Sequence, residues 1–494
     1  MILFEIALLA YLSFTSAASI AIAYALSLLA SAIAFLNIVV KDTTPEYKIT
    51  WIVIILVLPP FGALIYALFY KRNMSRRESR LLRGAVNELI GHGEGDDAFR
   101  SLALLSLSAS GKARAIMSDD IMAEVYCGTS SKDFSSGEEY FDSLISELAS
   151  ARKYIFLEYF IVEEGVLWGR IHKILTEKAK EGLDVRLLYD DIGCMKTLPA
   201  HYELTLRREG IRAYRFAKVN PRVSAVHHNR DHRKICVIDG KSAYTGGVNI
   251  ADEYINEKER FGHWKDGGLR LSGEAVGGLL KLFLGAWDFT SRTISDYEYL
   301  LSTVSKTESP DGGYYLPFGS GPAPLYKRPV GKNAFLNLIN QAEKYVYITT
   351  PYLIIDYELT EALRGAALRG VDVKIITPGI ADKKIIKIMT KSSYPYLMDA
   401  GVSICEYTPG FMHEKLLVTD DAYAVIGTIN FDYRSLVHHF ENAVWIYNSP
   451  TVLDAKDGFL SALRASSEQD RSHSRLTLIE WIFKNGIKLF APLL

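Results

Sequence analysis

HRKICVIDGKSAYTGGVN (residues 232–249) and HEKLLVTDDAYAVIGTIN (413–430) are one pattern written twice in the same chain. The first carries His232, Lys234, Asp239, Gly246 and Asn249; the second carries His413, Lys415, Asp420, Gly427 and Asn430, at the same offsets of +2, +7, +14 and +17 from the histidine. A single such motif is only a hypothesis, but two copies sharing every offset are hard to read as accident. ICVI and LLVT read as strands, so the histidine and lysine two residues apart project from the same face. Asp239-Gly240 and Asp420-Asp421 fall where a hairpin turns, and each asparagine lies on or just after the return strand.

Working outward, the residues upstream of each motif repeat as well. KYIFLEYFIVEEG (153–165), a helical stretch and DVRLLYDD (184–191) match KYVYITTPYLIID (344–356), a helical stretch and DVKIITPG (372–379). Strand, helix, strand recurs in both, the signature of an α/β fold. Two copies of one unit imply a pseudo-twofold arrangement with a shared site between them. That site gathers two imidazoles, two ammonium groups and two amides. Such a set suits a tetrahedral phosphate: Lys and Asn hold its oxygens while one imidazole attacks and the other moves the proton. Asp239 and Asp420 complete the candidate catalytic motifs, though as turn residues they read as structural rather than acid–base groups. His227, His228, His438 and His439 have no counterpart in the repeat and read as surface or packing histidines.

The duplicated H-x-K-x-x-x-x-D, followed by GG-x-N and GT-x-N, resembles the phospholipase D superfamily, and within it the bacterial cardiolipin synthases. Further stretches carry that resemblance: the Trp51–Tyr66 segment, DDIG (190–193), NIADEY (249–254), SGP (320–322), TPY (350–352), NFDYRS (430–435) and the terminal APLL (491–494). The resemblance implies two tandem phospholipase D-like α/β domains, over residues 136–300 and 301–494. It also implies a phosphohistidine intermediate, with His232 as nucleophile and His413 as general acid/base. Lys234, Lys415, Asn249 and Asn430 are then the phosphate-binding residues. The family uses a carboxylate to orient each ring, and the expected pairs are Glu441 with His413 and Asp266 with His232. The implied reaction joins two phosphatidylglycerol molecules into cardiolipin and glycerol, with no cofactor and no metal. The same chemistry with water as acceptor is the alternative, a phospholipase D-type hydrolase.

The front of the chain fits a lipid substrate. Residues 1–40 carry one charge, Glu5, and residues 50–70 (TWIVIILVLPPFGALIYALFY) carry none. A membrane helix needs about 20 apolar residues, so spans are expected over about 17–40 and 50–70, with a further short helix over 1–16. Lys71, Arg72, Arg76, Arg77, Arg80 and Arg83 follow, opposed by Glu78 alone. The positive-inside rule then puts the remainder on the cytoplasmic side of the bacterial cell membrane, beside the inner leaflet, with residues 71–135 as a basic connector. The whole chain is nearly neutral, 56 Lys+Arg against 57 Asp+Glu, which gives no nucleic-acid footprint. Cys127, Cys194, Cys236 and Cys405 are scattered, without metal-ligand or disulfide spacing.

Overall fold

A computed structural model describes residues 17–41, 43–69, 76–90, 96–218, 229–323, 325–470, 486, 489 and 490. They fall into two units, one containing the N-terminal helices and the other the motif-bearing body.

The body is built on two sheets of matching design. In the first, the strands lie in the order Thr129–Phe134, Gly268–Gly273, Ser242–Gly246, Ile235–Ile238, Tyr154–Tyr159, Asp184–Asp190, Arg212–Phe216. In the second, Tyr314–Ser320, Glu441–Tyr447, Tyr423–Gly427, Leu416–Thr419, Tyr345–Thr349, Asp372–Pro378 and Ser403–Tyr407 repeat that order, and Ser466–Glu468 is added at the far edge. In each half the last three of the seven are parallel and the motif hairpin is antiparallel to them. The strands Tyr154–Tyr159 and Tyr345–Thr349 are buried on both faces, as parallel strands covered by helices must be. Their β-branched and aromatic side chains supply that burial. The repeat seen in the sequence is thus a repeat of topology.

Local chemistry sets the helix boundaries. Ser136 caps the helix Gly137–Ser150 by accepting from Glu139 N at 3.2 Å, and Asp356 caps Tyr357–Leu368 through Leu359 N at 3.0 Å. The helix Val276–Ser291 is buried along nearly all its length and bears on strands of both sheets. The connector helix Arg76–Ile90 packs its Val86 and Leu89 side chains against this helix at Gly285, where a Cβ would touch both leucine and valine at 3.7–3.8 Å.

The two sheets meet where their motif hairpins return. Within each sheet the return strand lies close against its neighbour at this point: a Cβ at Gly246 would lie 2.5 Å from Gly268 Cα, and one at Gly427 would lie 2.5 Å from Ala443 Cα. Only glycine permits that approach. Asn442 Nδ2 then reaches across from one sheet to Thr245 Oγ1 of the other at 2.8 Å.

In the N-terminal unit, Ala17–Val40 is one helix, but the segment expected to span over 50–70 is not. It is divided into Pro45–Val57 and Pro59–Phe69, which fold back on one another. The Trp51 and Tyr66 ring centroids are 5.4 Å apart, whereas an unbroken helix would separate those residues by about 22 Å. Tyr66 also donates to Asn37 Oδ1 at 2.9 Å. The cause is Pro59-Pro60: neither nitrogen can donate, and Leu58 leaves helical geometry at φ −124° and ψ 60°. Gly62 allows the tight return, since a Cβ there would lie 2.5 Å from Ile55 Cα. Among the described residues no helix is long and apolar enough to cross a membrane. The short helix expected over residues 1–16, the basic pair Lys71–Arg72, the histidines His227 and His228, and residues 491–494 lie outside the described residues.

Candidate active site

Each motif histidine is held by the opposite half. His232 N donates to Phe440 O at 2.8 Å, and His413 N donates to Lys265 O at 2.7 Å. Phe440 and Lys265 immediately precede the two carboxylates, so each carboxylate comes to rest against the other half's histidine. His232 Nδ1 lies 2.9 Å from Glu441 Oε2, and His413 Nδ1 lies 2.5 Å from Asp266 Oδ2. The expected pairing is therefore reversed: Glu441 serves His232, and Asp266 serves His413. The reason is the twofold exchange, completed by the parallel pairing of His263–Lys265 with Gly410–Met412.

The carboxylates are themselves fixed. Glu441 Oε2 accepts from Thr428 Oγ1, and Asp266 Oδ1 accepts from Gly267 N at 2.9 Å. Thr428 corresponds to Gly247 in the repeat. There a Cβ would fall 2.1 Å from Asp266 Oδ1, so the shorter carboxylate needs the glycine. With Nδ1–H donated to a carboxylate, each imidazole presents Nε2 to the shared centre. Lys234 Nζ donates to His232 O at 2.6 Å, and Lys415 donates to His413 O while lying 2.8 Å from His413 Nδ1.

The two asparagines are placed differently. Asn249 is engaged by the protein, accepting from Ile161 N at 3.0 Å and donating to Tyr254 OH at 2.6 Å. Asn430 Oδ1 is buried without a hydrogen-bond partner. Aromatic rings wall the site: Phe160 lies 4.9 Å from His232, with Trp264 and Tyr254 at 5.3 and 5.4 Å from His413.

Asp239 and Asp420 stand outside this centre. Asp239 accepts from Arg152 N, Lys153 N and Tyr154 N at 2.7–2.9 Å, tying the hairpin turn to the start of the neighbouring strand. Asp420 does the same with Glu343 N, Lys344 N and Tyr345 N at 2.8–3.1 Å. Both adopt positive φ, 55° and 58°. Their place in the candidate catalytic set is corrected accordingly: they are turn clamps. Asp239→Ala strands three backbone donors at a buried turn and is expected to destabilise the fold by about 3 kcal/mol. At Asp420 the same donors are more exposed, and about 1 kcal/mol is expected. Chemical denaturation measures both, and a larger loss for Asp420→Ala would contradict this account.

Two further groups at the site carry no signal in the local sequence pattern. His439, read as a packing histidine, lies beside the centre: its ring is 5.5 Å from that of His232, and its Nδ1 is 3.7 Å from Glu441 Oε1. Neither of those two atoms has a hydrogen-bond partner. It escaped notice because its repeat equivalent is not a histidine. Among the described residues, His232, His439 and Glu441 are the trio whose potential metal-ligand atoms lie within 4.8 Å of one another. A cation there would compete for the Nδ1–carboxylate bond. The second group is an ion-pair relay behind His232. Arg233 joins Glu158 and Asp231 at 2.8 and 2.9 Å, and Arg230 joins Asp190 at 2.8 Å. The DDIG stretch supplied Asp190, but nothing local in sequence marks its partner.

Burial sets the electrostatics. It pulls His232 down to about 3, against the opposing Glu441 charge, and His413 down to about 4, reinforced by Lys415. It lowers Lys234 to about 7 and Lys415 to about 8, although the carboxylates oppose it. For Glu441 burial acts upward but His232 and His439 together outweigh it, and for Asp266 Lys415, His413 and Gly267 N together do so, so both stay ionised. The resting site thus holds neutral imidazoles between carboxylates and ammonium groups. The signs predict a pH profile. The neutral imidazoles persist down to about 4, while the ammonium groups are lost as pH rises through about 7–8. kcat/KM should therefore fall on the alkaline side, and Lys234→Arg should move that limb upward, from the value of about 7 set by Lys234 towards the value of about 8 set by Lys415. A kcat/KM that climbs through pH 8 contradicts this. The same histidines cost stability below about pH 6.5, because the unfolded imidazoles take up protons there and the folded ones do not.

Two duplicated α/β halves share one pair of oriented imidazoles, with lysine and asparagine around them, a donor set suited to a phosphate group. A family described as cardiolipin synthase, PLD-like domain matches residues 144–259 and 335–462, and one described as phospholipase D-nuclease N-terminal matches residues 28–69. The chain is 32% identical to a cardiolipin synthase of Halalkalibacterium halodurans over 94% of this chain and 92% of that one. It is 41% identical to an uncharacterized protein of Streptococcus mutans serotype c over 90% and 96% of the two chains. Among solved structures, phosphatidylserine synthase of Haemophilus influenzae Rd KW20 shares the fold with TM-score 0.55 and 14% identity, covering 74% of this chain and 93% of that one. The chain belongs to the cardiolipin synthase family of phospholipase D-like proteins.

Proposed function

We propose that this enzyme is a cardiolipin synthase that transfers a phosphatidyl group from one phosphatidylglycerol to the headgroup hydroxyl of another. The observation that carries it is the pair of Nδ1-anchored imidazoles, each held by the other half's carboxylate, in a chain similar along most of its length to cardiolipin synthases. Binding of the anionic phosphodiester raises the proton affinity of His413, which enters the step as an imidazolium; His232 Nε2 attacks phosphorus and displaces the glycerol oxygen, which takes the Nε2 proton of His413 and leaves it neutral. The phosphatidyl group is then held on His232 as a phosphoramidate. The hydroxyl of the second phosphatidylglycerol gives its proton to His413 and attacks, which frees His232. Lys234, Lys415, Asn249 and Asn430 bind the phosphate oxygens, and the roles of the two histidines are carried over from the family resemblance. Lipid outcompetes water for the intermediate because the site is closed: His232, His413 and both lysines are buried, among aromatic rings.

The apolar N-terminal helices hold the enzyme at the bacterial cell membrane, with the body on the cytoplasmic side beside its lipid substrate. The basic residues following residue 70 support that orientation.

Purified full-length enzyme in phosphatidylglycerol vesicles, with lipids resolved by mass spectrometry, tests the reading. Cardiolipin and glycerol appearing in equal amounts support transfer. Phosphatidic acid as the sole lipid product would make the protein a hydrolase.

A further inference from the structure

We infer that the helix Lys384–Met398, with the turn that leads into it, is a docking surface for an anionic bilayer beside the active site. The inference rests on the reading of the substrate as a membrane phospholipid and names the surface through which the body meets it.

The helix has the composition of an interfacial element. Its sequence, KIIKIMTKSSYPYLM, contains three lysines and no acid, and Lys383 precedes it. Ile385 and Ile388 are 53% and 38% exposed, and Ile380 in the preceding turn is 43% exposed. On a helical projection Ile385, Ile388 and Tyr396 form one outward strip, with Lys384 and Lys391 along one side of it. Met389, Ser393, Tyr394 and Leu397 face inward and are buried. Exposed isoleucines edged by lysines match the layered chemistry of a bilayer surface, acyl chains beneath anionic headgroups.

The neighbouring groups leave that character intact. Lys387 and Lys391 reach Glu406 at 2.8 and 3.3 Å, Lys383 lies 3.9 Å from Asp382, and Asp382 is engaged by Tyr352 OH at 2.7 Å. Tyr396 OH donates to Glu361 at 2.7 Å, and Arg364 stacks on its ring at 3.8 Å. Lys384 has none of these acids beside it.

The surface is continuous with the site. Ile380 N donates to Gly410 O at 3.1 Å, three residues before His413. A small cavity between the helix and Tyr352 is lined by Asp382, Lys387 and Phe411, and the Phe411 ring is 5.8 Å from that of His413. A lipid at this surface therefore has its headgroup next to the reacting centre.

The test uses full-length enzyme reconstituted in vesicles. An environment-sensitive fluorophore on Ile388→Cys should shift to shorter wavelength in phosphatidylglycerol vesicles and not in phosphatidylcholine vesicles, while one on Lys306→Cys should shift in neither. Lys384→Glu/Lys391→Glu, checked for an unchanged thermal melt, should slow turnover of phosphatidylglycerol vesicles about tenfold. It should leave turnover of a water-soluble short-chain phosphatidylglycerol at the unaltered rate. A probe at residue 388 that stays aqueous, or a shift that tracks protein concentration without vesicles, overturns the docking surface. So does a double variant that matches the unaltered enzyme on vesicles. If the unaltered enzyme makes no cardiolipin, the functional reading fails, and the fluorophore still decides the docking.

Discussion

His232→Ala and His413→Ala are each expected to abolish turnover while leaving circular dichroism, melting temperature and membrane association unchanged. Both imidazoles bear on one centre, and in the proposed reaction each step needs one to bond to phosphorus and another to move a proton. Neither can do both at once. Acid–base catalysis alone is commonly worth about 10²–10⁴-fold, and loss of the nucleophile removes the covalent route altogether. Neither ring is a keystone of packing: each is a small, nearly buried group at the seam of two intact sheets. Retention of more than about a tenth of the rate in either variant contradicts a shared site.

The second large effect follows from the exchanged carboxylates. Glu441→Gln and Asp266→Asn keep shape while removing charge, and each is expected to cost about 10²–10³-fold in turnover, within the range for a mispositioned acid–base group. The informative comparison is which histidine each variant disables. Carbethoxylation by diethylpyrocarbonate, read by peptide mapping, should change at His232 in Glu441→Gln and at His413 in Asp266→Asn, because each carboxylate fixes the tautomer of the ring it touches. A change at His413 in Glu441→Gln would restore the within-half pairing and contradict the geometry. Glu441→Ala is a harsher change, since it also leaves Thr428 Oγ1 and His232 Nδ1 without an acceptor in a buried site.

Much of this could be read from the chain. Period-2 strands, Asp-Gly and Asp-Asp turns and shared offsets foretold two α/β halves, because the duplicated hairpin is a local structure whose residues lie close in sequence. The lysines and asparagines came with it. What local pattern cannot carry is which half a side chain finally faces. Asp266 and Glu441 each follow their own histidine in the chain, yet the twofold delivers each to the other. His439 was hidden for a related reason: its importance lies in its distance from Glu441, not in any repeat. The pairing of Arg233 with Glu158 is likewise a contact between elements far apart in sequence. At the N-terminus, the apolar count over 50–70 fits a span, but Pro59-Pro60 with Gly62 favours a fold-back, which Trp51 and Tyr66 then seal with ring contact.

A covalent phosphatidyl-His232 can be trapped directly. Full-length enzyme mixed with phosphatidylglycerol labelled in its phosphate is quenched within a turnover, digested under conditions that preserve phosphohistidine, and mapped. Label is expected on the peptide containing His232, absent in His232→Ala and chased into cardiolipin by unlabelled phosphatidylglycerol. Label on the His413 peptide would reverse the two roles, and product formed with label on neither peptide would contradict covalent transfer.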